Sequence, residues 1–284
     1  MYVWSKLSST RWNDAWEERF AGHPDLSLVL TSVPSSDTVR VEVYSAKKAP
    51  LLAVQKQFGG RLRELKNRNW AAITTPPMPP LKVRDRLVVC TARTPAEITR
   101  AAKAHPGREI IAIPADMAFG TGHHATTATM LRLLVDAAKP LAGQRWSFAD
   151  LGSGTGILAI AAAKLGAAKV WGCDFDPKAV KVARENLARN AVADVRMAVT
   201  DILEWQPKQA YDIVAANIFH DVLEAAFPQI IDSVKPGGVL MVSGILKSQV
   251  EGCLAVAARL GIEWQHVVTR GGKWVSALGR RPAL

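Results

Sequence analysis

Residues 148–176 read FADLGSGTGILAIAAAKLGAAKVWGCDFD. A short apolar run, a glycine-rich turn, a helical stretch and a second apolar run ending in carboxylates predict strand, turn, helix and strand, half of a nucleotide-binding α/β unit. Glycine at 152, 154 and 156 lets the backbone take positive φ and leaves room for a ligand against the main chain. The predicted helix, Ile157 to Leu165, directs its unpaired N–H groups at that turn, and Gly166 reads as its stop. Asp174 follows Gly152 by 22 residues and ends the second strand, where a carboxylate can accept hydrogen bonds from both hydroxyls of a ribose.

Glycine spacing separates the possible ligands. A dinucleotide fingerprint is GxGxxG with a pyrophosphate at the helix N-terminus. Here the third glycine comes one residue early, and Asp150 stands two residues before the first. An acid there repels a pyrophosphate and suits the ammonium of a methionine moiety. S-adenosylmethionine fits this turn better than NAD.

Outward from this stretch, the 284 residues suffice for a main domain and a smaller one. No apolar run approaches the ~20 residues that span a bilayer, and MYVWSKLSSTRW at the N-terminus has no apolar segment of a signal peptide. No membrane partner is expected. Cys90, Cys173 and Cys253 are odd in number and lack metal-ligand spacing, which fits reduced thiols in the cytoplasm. The net charge of +11 is concentrated at the front, where residues 1–113 hold 18 Lys/Arg against 10 Asp/Glu. Its densest part, KQFGGRLRELKNR at 56–68, is either a solvated helix face or a surface for a phosphate-bearing partner such as RNA.

Residues 1–73 read as a small α+β domain of ferredoxin-like type. Its expected elements are a strand at Tyr2 to Lys6, a helix at Asn13 to Phe20, strands at Leu26 to Leu30 and Thr38 to Tyr44, and a helical stretch from Ala49 to Leu65 broken at Gly59-Gly60. TTPPMPPLK, 74–82, has four prolines and reads as a semi-rigid linker. Residues 83–284 form the main domain. After two strands and a helix, helical and strand patterns alternate, and the chain closes with Glu263 to Thr269 and Trp274 to Leu278. Only Arg270-Gly271-Gly272-Lys273 separates these last two strands, so they form a hairpin and the terminal strand runs antiparallel. A doubly wound parallel sheet with such a hairpin is the class I methyltransferase layout.

Three further motifs bear on chemistry. DMAFGTGHHATT, 116–127, is a flexible loop followed by a helix over Ala128 to Ala138, with Thr126 or Thr127 as its cap. Such a loop sits over the carboxyl edge of the sheet, which makes Phe119 and Thr121 candidate lid residues. His123 and His124 are neighbours that seldom point the same way, and with His220 distant and Cys173 in a predicted buried strand no metal site is expected. VAANIF, 214–219, sets Asn217 just past a strand, where its carbonyl can accept from an incoming amine. Methyl transfer to an amine needs alignment more than strong acid–base groups, so Asn217 is the candidate catalytic residue. Asn-Pro-Pro-Tyr is absent here, which argues against a planar amide or base amine as acceptor. Asp201, after the third strand, which precedes the one ending near Asn217, is placed to accept from an adenine amino group.

With these pieces assembled, the chain resembles the PrmA family, the methyltransferases of large-subunit ribosomal protein eleven. The resemblance rests on AFGTGHHATT, DLGSGTGILAIAAAKLGA, GCDFDP, ARENLARNAV, ANIF and VKPGGVLMVSGILKSQ, which cover most of residues 116–250. It implies that Thr127, Gly152, Asp174 and Asn217 contact S-adenosylmethionine, that the N-terminal domain grips a ribosomal protein, and that lysine ε-amines and an N-terminal α-amine are methylated. Phe219 stands where the family usually has leucine, Cys90-Thr91-Ala92-Arg93 where it has a tryptophan, and only element order and Trp70 match in the N-terminal domain. The expectation is a monomeric protein methyltransferase. The alternative is an RNA methyltransferase, or a non-catalytic RNA-binding adaptor, with the same fold.

Overall fold

The computed structural model describes residues 2–20, 23, 25–33, 36–65, 79–114 and 124–283. The chain divides into two compact units, Met1–Thr74 and Thr75–Leu284.

In the first unit, β1 (Tyr2–Ser9), α1 (Asn13–Phe20), β2 (Ser27–Ser32), β3 (Thr38–Ser45), α2 (Lys48–Phe58) and β4 (Arg61–Glu64) form a four-stranded antiparallel sheet of order β2-β3-β1-β4. This is the ferredoxin-like arrangement. Period-two patterning decides its faces: Val39, Val41 and Val43 are buried while Arg40 between them is exposed. Trp4, Trp16, Phe20, Leu51 and Val54 complete a core of this unit's own. The helical reading of 49–65 is corrected. The helix ends at Phe58, Gly59 takes φ +67°, and Arg61–Glu64 pairs with Tyr2–Ser5. Arg-Leu-Arg-Glu alternates charge with an inward Leu62, a strand pattern too short to stand out in a charged run. The basic stretch is therefore no single helix face. Lys56 lies on α2, whereas Arg61 and Arg63 stand on β4, and 66–68 fall outside the described residues.

The second unit opens with β5 (Leu81–Val83), β6 (Leu87–Cys90), α3 (Pro95–Ala104) and β7 (Glu109–Ala112), the three strands forming a small sheet in that order. Leu81 and Lys82 are thus strand and not linker. Residues 74–78 of the expected linker, and Trp70, lie outside the described residues. A capping box, Thr94 with Glu97, and Pro95 in the first turn start α3.

The main sheet uses β8 (Ser147–Leu151), β9 (Lys169–Asp174), β10 (Val195–Val199), β11 (Tyr211–Asn217), β12 (Val234–Leu246), β13 (Glu263–Arg270) and β14 (Trp274–Arg280), in the order β10-β9-β8-β11-β12-β14-β13. Six of the seven strands share one direction, and β14 alone inserts antiparallel, between β12 and β13, as the hairpin requires. Both faces are covered. Helices α4 (Ala125–Ala138), α5 (Ile157–Lys164) and α6 (Pro177–Arg189) pack with Phe148, Ile213 and Ala215 on one side. On the other, α7 (His220–Asp232) and α8 (Val250–Arg259) pack with Leu151, Val214 and Ala216. Neighbouring residues of β11 thus serve opposite cores, and each fully buried aliphatic contributes roughly 1.5–3 kcal/mol. Among the described residues no helix is long and apolar enough to cross a membrane.

Candidate functional site

Strand register brings the site together. Leu151 pairs with Cys173 on one side and Ala216 on the other. One residue further, Gly152, Asp174 and Asn217 stand side by side at the carboxyl ends of β8, β9 and β11, about 10 Å from first to last strand. Open α/β sheets bind ligands beyond this edge. Asn217 is the last residue of its strand, one position earlier than its sequence setting predicts.

The turn between β8 and α5 is built from both sides. Its glycines at 152, 154 and 156 take φ of +70°, +52° and +76°. Ser153 ties the turn to β9, its amide donating to Cys173 O at 2.9 Å and its hydroxyl lying 2.9 Å from Asp150 O and 3.1 Å from Cys173 O. Asp174 holds it from the next strand: the Gly154 amide donates to Oδ2 at 2.9 Å and the Asp176 amide to Oδ1 at 3.0 Å. Each carboxylate oxygen keeps a second lone pair for a hydroxyl donor. The space beside Gly152 belongs to the protein, because a Cβ there would overlap Ile218 Cγ2. Sequence reasoning gave that space to a ligand; a side chain from the end of β11 occupies it.

Asp150 lies beneath the turn. The residue is 1% exposed and its Oδ2 accepts the Ala159 amide hydrogen at 3.1 Å, so the carboxylate faces the first turn of α5 and not the crevice. Burial pushes its carboxyl up to about 7; the Ala159 hydrogen bond opposes this and the Asp174 charge adds to it. The expected contact with a ligand ammonium is therefore not a direct surface one. Burial likewise pushes the neighbouring Cys173 thiol up to about 12, so it stays protonated.

The start of α4 departs from expectation. His124 is the N-cap, its Nδ1 accepting from the Thr126 amide at 3.4 Å and lying 2.6 Å from the Thr126 hydroxyl, while its ring meets Trp274 edge-on at 5.4 Å. Thr126 and Thr127 lie inside the helix and are buried, not capping. Thr127 Oγ1 is buried with no hydrogen-bond partner among the described residues, a polar group that calls for one. Phe119, Thr121 and His123 lie outside the described residues. Asp201 follows β10, and its Oδ1 already accepts the Leu203 amide at 2.9 Å, leaving its other oxygen at the exposed rim.

Sequence reasoning missed two asparagines and two aromatics. On α6, buried Asn186 donates to Thr155 O in the glycine turn at 3.0 Å, and buried Asn190, the C-cap of that helix, pairs with both backbone groups of Ala112, accepting at 2.7 Å and donating at 2.9 Å. Polar residues at i and i+4 on the apolar stripe of an amphipathic helix were the available signal. Phe175 and Phe219 follow the crevice strands and are 75% and 70% exposed. Large aromatic faces left open at a sheet edge suit a flat or apolar ligand group.

A carboxylate with spare acceptors beside a backbone-lined turn, an orphaned buried hydroxyl and open aromatic faces fit S-adenosylmethionine. The comparisons agree. A family model described as ribosomal protein L11 methyltransferase (PrmA) matches residues 5–282. A protein of that name from Chloroflexus aurantiacus is 34% identical over 246 residues, covering 78% of this chain and 71% of the relative. Another of that name, from Trichlorobacter lovleyi, is 41% identical over 229 residues, covering 78% and 73%. The crystal structure of a ribosomal protein L11 methylase from Lactobacillus delbrueckii subsp. bulgaricus matches with a TM-score of 0.59 at 25% identity, over 72% of this chain and 98% of that one. The chain belongs to the ribosomal protein L11 methyltransferase (PrmA) family.

Proposed function

We propose that this protein transfers methyl groups from S-adenosylmethionine to amines of ribosomal protein L11: lysine ε-amines, an N-terminal α-amine, or both. The observation that carries the reading is the alignment of Gly152, Asp174 and Asn217 on three adjacent strand ends, in a chain of this family. Bound at this edge, S-adenosylmethionine supplies a methyl carbon already activated by its sulfonium. The chain's own residues have mainly to align. Asp174 accepts from the ribose hydroxyls with the lone pairs that Gly154 and Asp176 leave over. Gly152, Gly154 and Gly156 shape the turn, Asp150 braces it from below, and Thr127 and Asp201 complete the contacts, with Phe119 and Thr121 in the covering loop. Asn217 Oδ1 accepts from the uncharged amine and aims its lone pair; the amine's surplus proton leaves to water at the open rim.

Residues 1–73 grip the protein substrate and 83–284 carry the transfer, the protein working as a monomer in the cytoplasm, where Cys90, Cys173 and Cys253, all buried free thiols, stay reduced. A second reading, contact with RNA, is favoured by Arg61 and Arg63 standing with Arg40 around an open cavity of about 800 Å³ on the first unit's sheet. Its mark would be affinity falling steeply with salt through counterion release. Mass spectrometry of L11 after incubation with the protein and S-adenosylmethionine tests the main reading. Methylated lysines or N-terminus are expected, and L11 recovered unmodified would refute it.

A further inference from the structure

The segment SGILKSQ, 243–249, has no role in the site as described, yet its glycine meets the end of β11. Asn217 pairs with Ser243, so the next residues, Ile218 and Gly244, face each other. Gly244 is the extra residue of a bulge in β12, where the register against β14 shifts between Ser243 and Ile245. Its φ is +89°, and a Cβ on it would stand 2.8 Å from the Ile218 carbonyl carbon, closer still to the oxygen, and 3.3 Å from the Ile218 nitrogen. The bulge is pinned from behind by Ser243, whose buried hydroxyl lies 2.7 Å from Ser276 Oγ and 3.1 Å from Val275 O. On the opposite side the Ile218 side chain fills the space left by Gly152. Ile218 is thus held between two glycines, one against its backbone and one against its side chain, and it is the residue bonded to Asn217.

We infer that Gly244 is a positioning residue for methyl transfer: by admitting the Ile218 backbone it fixes the direction in which the Asn217 side chain leaves β11. The inference rests on the reading of Asn217 as the group that orients the amine. Bulges recur beside active sites because one extra residue re-aims the chain, and a misplacement of an ångström can cost on the order of a hundredfold in rate.

The test is single-turnover methylation of L11 at saturating S-adenosylmethionine, with calorimetric cofactor affinity measured in parallel, for Asn217→Ala, Gly244→Ala and Ile218→Ala. Gly261→Ala is the control, since Gly261 has a similar φ of +94° with nothing within 4 Å of an added Cβ. Gly244→Ala is expected to slow transfer by about tenfold to a hundredfold while cofactor affinity stays within about threefold, and Gly261→Ala to transfer at the wild-type rate. Should Gly244→Ala fail to fold, Ile218→Ala, which empties the other jaw, is expected to show the same split between rate and affinity. Slow transfer in Asn217→Ala with a wild-type rate in Gly244→Ala, or in Ile218→Ala where Gly244→Ala does not fold, would overturn the inference alone. Equal losses of rate and affinity would make Gly244 merely structural and overturn it too. A wild-type rate in Asn217→Ala would overturn the underlying reading, and the inference with it.

Discussion

The carboxylate of Asp174 accepts the amide hydrogen of Gly154 at 2.9 Å, so the acid that ends β9 also holds the glycine turn that follows β8. On the proposed reading, a ribose bound by the remaining lone pairs of Asp174 would meet a turn already shaped by the same side chain. Asp174→Ala should weaken S-adenosylmethionine by about ten- to a hundredfold, because hydrogen bonds to a charged group are typically worth roughly 1.5–3 kcal/mol. Calorimetry reads this directly, and unchanged affinity would remove Asp174 from the cofactor site.

If its carbonyl orients the acceptor amine as proposed, Asn217→Ala should lower turnover more than cofactor affinity, by on the order of a hundredfold in rate. That amine must arrive uncharged. Activity on lysine should then rise from neutral pH toward about 9–10, approaching the ordinary lysine pKa of ~10.4. A flat profile in single-turnover kinetics over this range would exclude lysine as the acceptor.

Asp150 makes a prediction about stability. Its carboxyl is held up to about 7 against an ordinary 3.8, chiefly by burial. Between those values the unfolded chain gives up this proton and the folded one keeps it, so its contribution to stability is full below about pH 4 and is lost as pH rises toward about 7. The loss is at most about 1.4 kcal/mol per pH unit within that window. Asp150→Asn keeps an acceptor for the Ala159 amide and cannot ionise. Denaturant titrations should show the variant gaining on the wild type from about pH 4 to 7 and holding a constant lead above. A difference independent of pH would contradict the buried, proton-holding carboxyl.

Legibility from the sequence follows the range of each interaction. Strands of the main sheet alternate residues between two cores, as Ile213 and Val214 do, and that period is written locally. The glycine turn and Asp174 are likewise local, each set by strand and helix ends. The cap of α4 was misread because Thr126 and Thr127 follow the usual capping chemistry, but tertiary packing buries both and leaves the role to His124. The strand Arg61–Glu64 exists only through pairing with Tyr2–Ser5, more than fifty residues away, so nothing nearby marks it. Asn190 meets Ala112 across 78 residues and Gly244 meets Ile218 across two strands. Such contacts depend on the assembled sheet, and a single sequence carries no sign of which partner will arrive.

The central claim, methyl transfer to a ribosomal protein, is tested most directly by adding the protein and methyl-labelled S-adenosylmethionine to a cell lysate and separating protein from RNA. Label is predicted in a single small protein band that co-migrates with L11, and to accumulate on the order of a hundredfold more slowly with Asn217→Ala. Label in the RNA fraction, or in neither fraction, would contradict it.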